Sequence, residues 1–206
     1  MTSPTVGRPR ITPGRPEVDA RTEILDAAAA LFSERGFAGT STRQIAERAG
    51  MRQASMYYHF AGKEEILLAL LDASVTPTLD RAAEYLDADD PVVALYELAR
   101  SDVDMLLAEP HNIGTMYLSP ELRSEVFAPF RAARAELMGV YAALAARITP
   151  GADPELAGAC CMQLVEVVIP LRRDDAVPNG LAESIALTCL RVAGASEEGI
   201  SRVLGR

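Results

Sequence analysis

Apolar positions recur at three- and four-residue intervals along most of the chain, and few runs alternate every second residue. Ile24, Leu25, Ala28, Leu31 and Phe32 make the first stripe, with Asp19 placed to cap it and Gly36 to end it. Ser41-Thr42-Arg43-Gln44 sets a hydroxyl three residues before an amide, the capping-box pattern, and predicts a short helix bearing Ile45 and Ala46. Ala49-Gly50-Met51 reads as a turn in which Gly50 takes the left-handed conformation. A second short helix follows from about Arg52 to His59. Lys63 opens a long helix through Ile66, Leu67, Leu70 and Leu71, kinked at Pro77 and running to about Asp87. Asp89-Asp90-Pro91 starts another that reaches about Ala108. After an irregular segment from Glu109 to Leu118, Ser119-Pro120-Glu121 opens a helix to Ile148, and Thr149-Pro150-Gly151 breaks the pattern. Helices near 153–171 and 179–194 complete it, with room for a short turn after Gly194. The pattern predicts an all-α chain.

Composition agrees, since Ala, Leu, Glu and Arg are abundant and the 206 residues include no Trp. The N-terminus is basic and Pro-rich, without the apolar run of a secretory signal. The apolar stretch Leu156 to Leu171 is interrupted by Gln163 and Glu166 and reads as too short to span a bilayer. Cys160, Cys161 and Cys189 are odd in number and set among apolar residues, as reduced core thiols are. A soluble cytoplasmic protein without membrane partners is expected.

A net charge of −9 argues against a polyanionic partner until its distribution is read. Residues 1–64 carry nine Lys/Arg against seven Asp/Glu, and residues 65–206 carry eleven against twenty-two. A slightly basic end and an acidic body suit a protein that meets nucleic acid at one end only.

Thr42 to Phe60 carries the functional signal. Ala46 is small where two helices would cross, Gly50 sits in the tight turn, and Met56 is the apolar anchor of the second helix, which is helix-turn-helix spacing. The stretches Ser41-Thr42-Arg43-Gln44-Ile45-Ala46-Glu47-Arg48-Ala49-Gly50, Ser55-Met56-Tyr57-Tyr58-His59-Phe60 and Lys63-Glu64-Glu65-Ile66-Leu67 closely resemble the TetR family of bacterial regulators. The resemblance covers roughly residues 20–71; beyond it only the helical plan and length are similar. It implies a homodimer with three DNA-binding helices (residues 19–64) and a larger helical ligand-binding and dimerisation domain (residues 65–206). It implies no catalytic residue, cofactor or metal. Its implied partners are an inverted-repeat operator in double-stranded DNA and a small effector that releases a repressor; the candidate cavity residues of the body suggest an apolar or aromatic one.

The resemblance also assigns residues. Arg43 would read a base edge, its fork matching guanine; Gln53 could read adenine, and Ala54 could touch a thymine methyl. Arg52 and Ser55 would meet phosphate or base. Thr42, Tyr57, Tyr58, His59 and Lys63 would contact phosphate. Tyr57 could equally be part of the core, and His59 a plain surface residue; Glu47 and Arg48 read as a solvated face. Residues 1–18 form an arm with Gly7-Arg8-Pro9 and Gly14-Arg15-Pro16, open to two readings: a minor-groove hook or a solubilising tail.

In the body, Tyr85, Tyr96, Tyr117 and Tyr141 recur among Met105, Met116, Phe127 and Phe130, which predicts an adaptable apolar cavity with polar handles. His111, alone after Pro110, is placed as a pocket entrance or gate. Glu166 is either a pocket group or a paired interface charge. The nearly all-round apolar helix at 157–171, with Leu181, Ile185, Leu187, Leu190 and Val192 on the next, reads as a four-helix dimer interface. The long helix from Lys63 to Asp87 would touch both the DNA end and the cavity and so couple them.

Overall fold

A computed structural model describes residues 19–151 and 153–205; the arm at 1–18 lies outside the described residues. The first four helices are α1 (Ala20–Arg35), α2 (Thr42–Arg48), α3 (Gln53–His59) and α4 (Lys63–Ala73). The capping box forms as written: Gln44 N–H donates to Ser41 Oγ at 3.3 Å and Ser41 N–H to Gln44 Oε1 at 2.8 Å. Gly50 has φ 68°, the left-handed turn that a Cβ would strain. Ile24, Ala28, Phe32, Ile45, Ala46, Met56 and Phe60 are buried together, so the short α2 and α3 are held by their apolar undersides and not by intrinsic helix stability. Asp19 stands at the α1 cap, but its side chain makes no capping bond.

The expected long helix to Asp87 is instead three pieces. α4 stops at Ala73, α5 spans Thr76–Leu79 and α6 spans Ala82–Asp87. Ser74 ends α4 by turning its hydroxyl back onto Leu71 O at 2.6 Å. Pro77 then lies in the first turn of α5, where its missing N–H leaves no bond unmade, so it begins a helix and does not kink one.

The body continues with α7 (Pro91–Ala108), capped by Asp90 on Val92 N–H at 3.0 Å. Two short 3-10 turns, Pro120–Arg123 and Glu125–Phe127, occupy the start of the expected helix to Ile148, and α8 proper is Ala128–Ile148. The expected helix at 153–171 is divided into α9 (Pro154–Glu166) and α10 (Val168–Arg173). Pro170 supplies the reason: it cannot bond the Glu166 carbonyl four residues back, and its ring crowds it. α11 (Leu181–Val192) follows, and the tail holds a capped helix, α12 (Glu197–Leu204), with Gly199 N–H on Ser196 Oγ at 3.2 Å. Among the described residues there is no strand.

α7 runs through the middle of the body, against α6, α8, α9, α10, α11 and α12. α8 and α9 approach most closely at Gly158, where an added Cβ would stand 2.7 Å from Ala142 N and 2.9 Å from Met138 O. Leu181, Ile185 and Leu190 point into this core, so Leu190 belongs to the fold of one chain and not to an interface between chains. Pro154–Arg173 is long and apolar enough, by length and composition, to cross a membrane. In the fold it is broken at Val167 and packed on α8, α11 and α7. The stripe it leaves outward is Leu156, Cys160, Gln163, Leu164 and Val167, at helical spacing; on α11, Val192 is exposed as well.

Candidate functional site

α2 and α3 present one continuous polar surface. Gln53, first residue of α3, donates through Nε2 to Thr42 Oγ1 at 2.9 Å and to Tyr57 Oη at 3.4 Å, and the two hydroxyls lie 3.1 Å apart. This triad locks the rotamers of three side chains that face away from the core. Arg43 reaches outward from α2 and is held by Glu47 at 2.8 Å, an exposed pair that solvent weakens and that a phosphate or base edge can replace. The Glu47 carboxylate raises the Arg43 guanidinium pKa, so its charge is secure. Arg52, Ala54, Ser55 and Tyr58 are exposed on α3; Tyr58 is 88% exposed and its ring meets His59 edge-on. Tyr57 is half exposed and not core, which resolves one of the two readings left open by the sequence.

Lys63 departs from its expected place. Its ammonium donates to Phe37 O at 3.0 Å and Thr40 O at 3.1 Å, and lies 4.2 Å from the Phe37 ring centre. It therefore satisfies carbonyls after α1, with a single donor left for any phosphate. His111, expected at a pocket entrance, has its Nε2 3.0 Å from Asp26 Oδ1 of α1, joining the body to the N-terminal helices α1–α3, the reader. Phe127 is likewise spent at the junction, edge-on to Phe37 at 6.5 Å.

Between α4, α7, α8 and α9 lies a cavity of about 30 Å³, lined by Ser74, Val75, Asp102, Met105, Leu106, Tyr117, Arg134, Leu137, Met162, Val165 and Glu166. Two larger hollows adjoin it: one of about 360 Å³ walled by Tyr117, Gln163, Glu166 and Ile169, the other of about 350 Å³ walled by Tyr117, Phe130 and Arg134. Arg134 pairs with Glu166 at 2.5 Å and lies over the rings of Tyr117 (4.7 Å) and Phe130 (5.9 Å). Burial pushes the Glu166 carboxyl up against the opposing pull of Arg134. Tyr117 donates to Ser74 Oγ at 2.8 Å, and burial raises its phenol to about 12. Asp102, on α7, takes hydrogen bonds from Thr78 and from Tyr141 at 2.6 Å; burial pushes its carboxyl up and the two hydroxyls pull it partly back, to about 6.

The expected cavity residues thus divide. Met105, Tyr117 and Glu166 line the inner cavity, Phe130 lines an outer hollow, and Tyr141 supports Asp102 from behind. Met116 is core, Tyr85 is core under Arg81, and Tyr96 lines a separate polar groove of about 750 Å³ between α7, α11 and α12. Asp102, Arg134, Ser74 and Thr78 were not expected. Asp102 did leave a signal: it falls on the stripe Leu95, Leu98, Ala99, Val103, Leu106, an acid on the apolar face of a helix. Arg134, Ser74 and Thr78 left none.

The family model of bacterial regulatory proteins, tetR family, matches residues 24–70. The crystal structure of Mycobacterium smegmatis AmtR is 43% identical, with a TM-score of 0.81 over 94% of this chain and 98% of that one. The chain belongs to the TetR family. Among curated relatives, the transcriptional repressor KstR2 of Rhodococcus jostii is 37% identical over 126 residues, 51% of this chain and 58% of that protein. The regulator TtgR of Pseudomonas putida is 38% identical over 82 residues, 39% of each. The chain therefore spans little more than half the length of the first of these relatives and less of the second. AibR, solved with isovaleryl coenzyme A and operator DNA, is 20% identical with a TM-score of 0.70 and shares the fold.

Proposed function

We propose that the chain is a sequence-specific transcriptional regulator, a homodimeric repressor that binds an inverted-repeat operator and leaves it when a small molecule enters the body. The carrying observation is the surface of α2 and α3: Gln53, Thr42 and Tyr57 are fixed by one another while Arg43, Arg52, Ala54, Ser55 and Tyr58 stand free of the core. Preset side chains on a helix whose other face is buried are what base reading in a major groove requires. Tyr58 and His59 fit flanking phosphate contacts, and Lys63 fits one with its remaining donor. KstR2 bears the name of a repressor, which supports that direction of regulation.

Dimerisation is supported by the outward stripe of Leu156, Leu164 and Val167 with Val192, apolar surface that a single chain leaves uncovered. Two-fold symmetry would repeat the reader at a spacing that DNA can match. The residues named carry regulation and not catalysis, and the working compartment is the one that holds the DNA. Selecting bound sequences from a random duplex pool tests the reading. An inverted repeat with half-sites about one helical turn apart is expected; recovery of no common sequence would overturn it.

A further inference from the structure

The cavity beside α7 contains an unbalanced charge. Asp102 is 3% exposed and takes its hydrogen bonds from two neutral hydroxyls, Thr78 and Tyr141. Glu166, on the opposite wall, already has its cation in Arg134. Two carboxylates thus share one guanidinium, and the acid without a cation is the deeper one. A buried charge with no counter-charge is costly to hold, and any cation able to reach it is strongly favoured. Burial raises its carboxyl, as expected of an acid with no cation beside it.

The surrounding geometry supplies the rest of a site. The inner cavity, about 30 Å³, has room for little more than a water molecule. Tyr117 borders it and both outer hollows, and the Arg134–Glu166 pair forms the partition. Moving Arg134 off Glu166 would join the three spaces into a volume of the size small ligands occupy. An anion that drew Arg134 away would leave Asp102 and Glu166 both without a cation. A cation brings the charge that Asp102 lacks.

We propose that the effector is a small monocation, a protonated amine on an apolar body, with its ammonium on Asp102 and its body along Met105, Leu137, Met162 and Val165. This rests on the reading of the body as an effector domain and narrows its expected ligand from apolar or aromatic to apolar with one cationic end. The ammonium competes with the Thr78 and Tyr141 hydroxyls for the carboxylate, and Thr78 lies on α5, directly after the end of the helix that starts at the reader.

The test uses the full-length protein and three probes with one body: n-hexylammonium, 1-hexanol and hexanoate, each titrated by calorimetry at pH 7.5. Hexylammonium is expected to bind at least about tenfold more tightly than the other two. Asp102→Asn is expected to bring it down to the affinity of the alcohol. Should that variant not fold, the three-way comparison on the wild type decides alone. Equal or tighter binding of hexanoate or hexanol, or no binding of hexylammonium, would overturn the inference. Operator binding by the same samples keeps the two readings apart. Release by hexanoate leaves a ligand-controlled repressor without an amine site, whereas absence of operator binding overturns the regulator itself.

Discussion

The reader and the body treat charge in opposite ways. In the reader, Arg43 and Glu47 are paired in the open, 78% and 60% exposed, where parting them costs little. In the body, Arg134 and Glu166 are 21% and 14% exposed, and Asp102 is deeper still. Parting a pair there leaves a charge in a medium that solvates it poorly. A surface meant to exchange partners at each binding event needs the first arrangement. A surface meant to change state only when a particular molecule arrives needs the second.

The largest expected effect removes the body's hold on the reader altogether. Replacing Leu156 and Val167 together by Asp should give a monomer by sedimentation and lower operator affinity about a thousandfold, toward the non-specific level. A dimer that survives both charges would place the interface elsewhere.

Asp102→Asn tests the electrostatic contrast directly. The folded chain holds this carboxyl above its ordinary value, so its contribution to stability is fully present below the unfolded pKa and is lost as pH rises through about 6. The groups facing it are Thr78, Tyr141, Cys189 and, across the cavity, Tyr117, Arg134 and Glu166. Glu166 keeps Arg134 in both proteins and so cancels in the difference. Denaturant titrations from pH 4 to pH 8 should move in favour of the variant by on the order of 3 kcal/mol across that range. No pH dependence of the difference would mean that the fold leaves the Asp102 carboxyl at its ordinary value.

In the reader, Arg43→Ala should cost about 2 kcal/mol at one base pair and relax the preference there, measured by competition with singly substituted operators. Loss spread evenly over all sequences would make it a phosphate contact. Lys63→Ala should lower the salt slope by about one unit and also destabilise the reader, because its two carbonyl partners lose their donor. The smallest effect belongs to Glu47→Gln, which frees Arg43 and should change affinity by about 0.5 kcal/mol or less.

The same contrast explains what could be read from the sequence. Most of the reader was legible: the capping box at Ser41 and the left-handed turn at Gly50 are local features, each fixed by neighbours a few positions away, and Met56 stood out by its place in the spacing. Asp19 makes no capping bond, and Lys63 was not legible, because its partners stand 26 and 23 residues upstream. The body was legible as helices but not as a site. Asp102 meets Thr78 and Tyr141 across 24 and 39 residues, and Arg134 meets Glu166 from another helix. Hydrophobic spacing reports which face of a helix is buried, not which polar group it will find there. Helix breaks failed similarly: Pro77 and Pro170 were visible, but a kink and a fresh start leave the same residue in the sequence.

The interruption after Ala73 turns α4 into a lever. Eleven residues at about 1.5 Å each give an arm of roughly 16 Å between the joint and the reader. A pivot of about 10° there sweeps the far end through about 3 Å, close to the 3.4 Å rise between successive bases along a strand. The angular play at the joint is limited by two side-chain tethers, the Tyr117 hydroxyl donating to Ser74 and the Thr78 hydroxyl donating to Asp102. Two hydroxyl groups therefore stand at the fulcrum, where a change of a few degrees would be read out at the far end of the arm as a few ångströms.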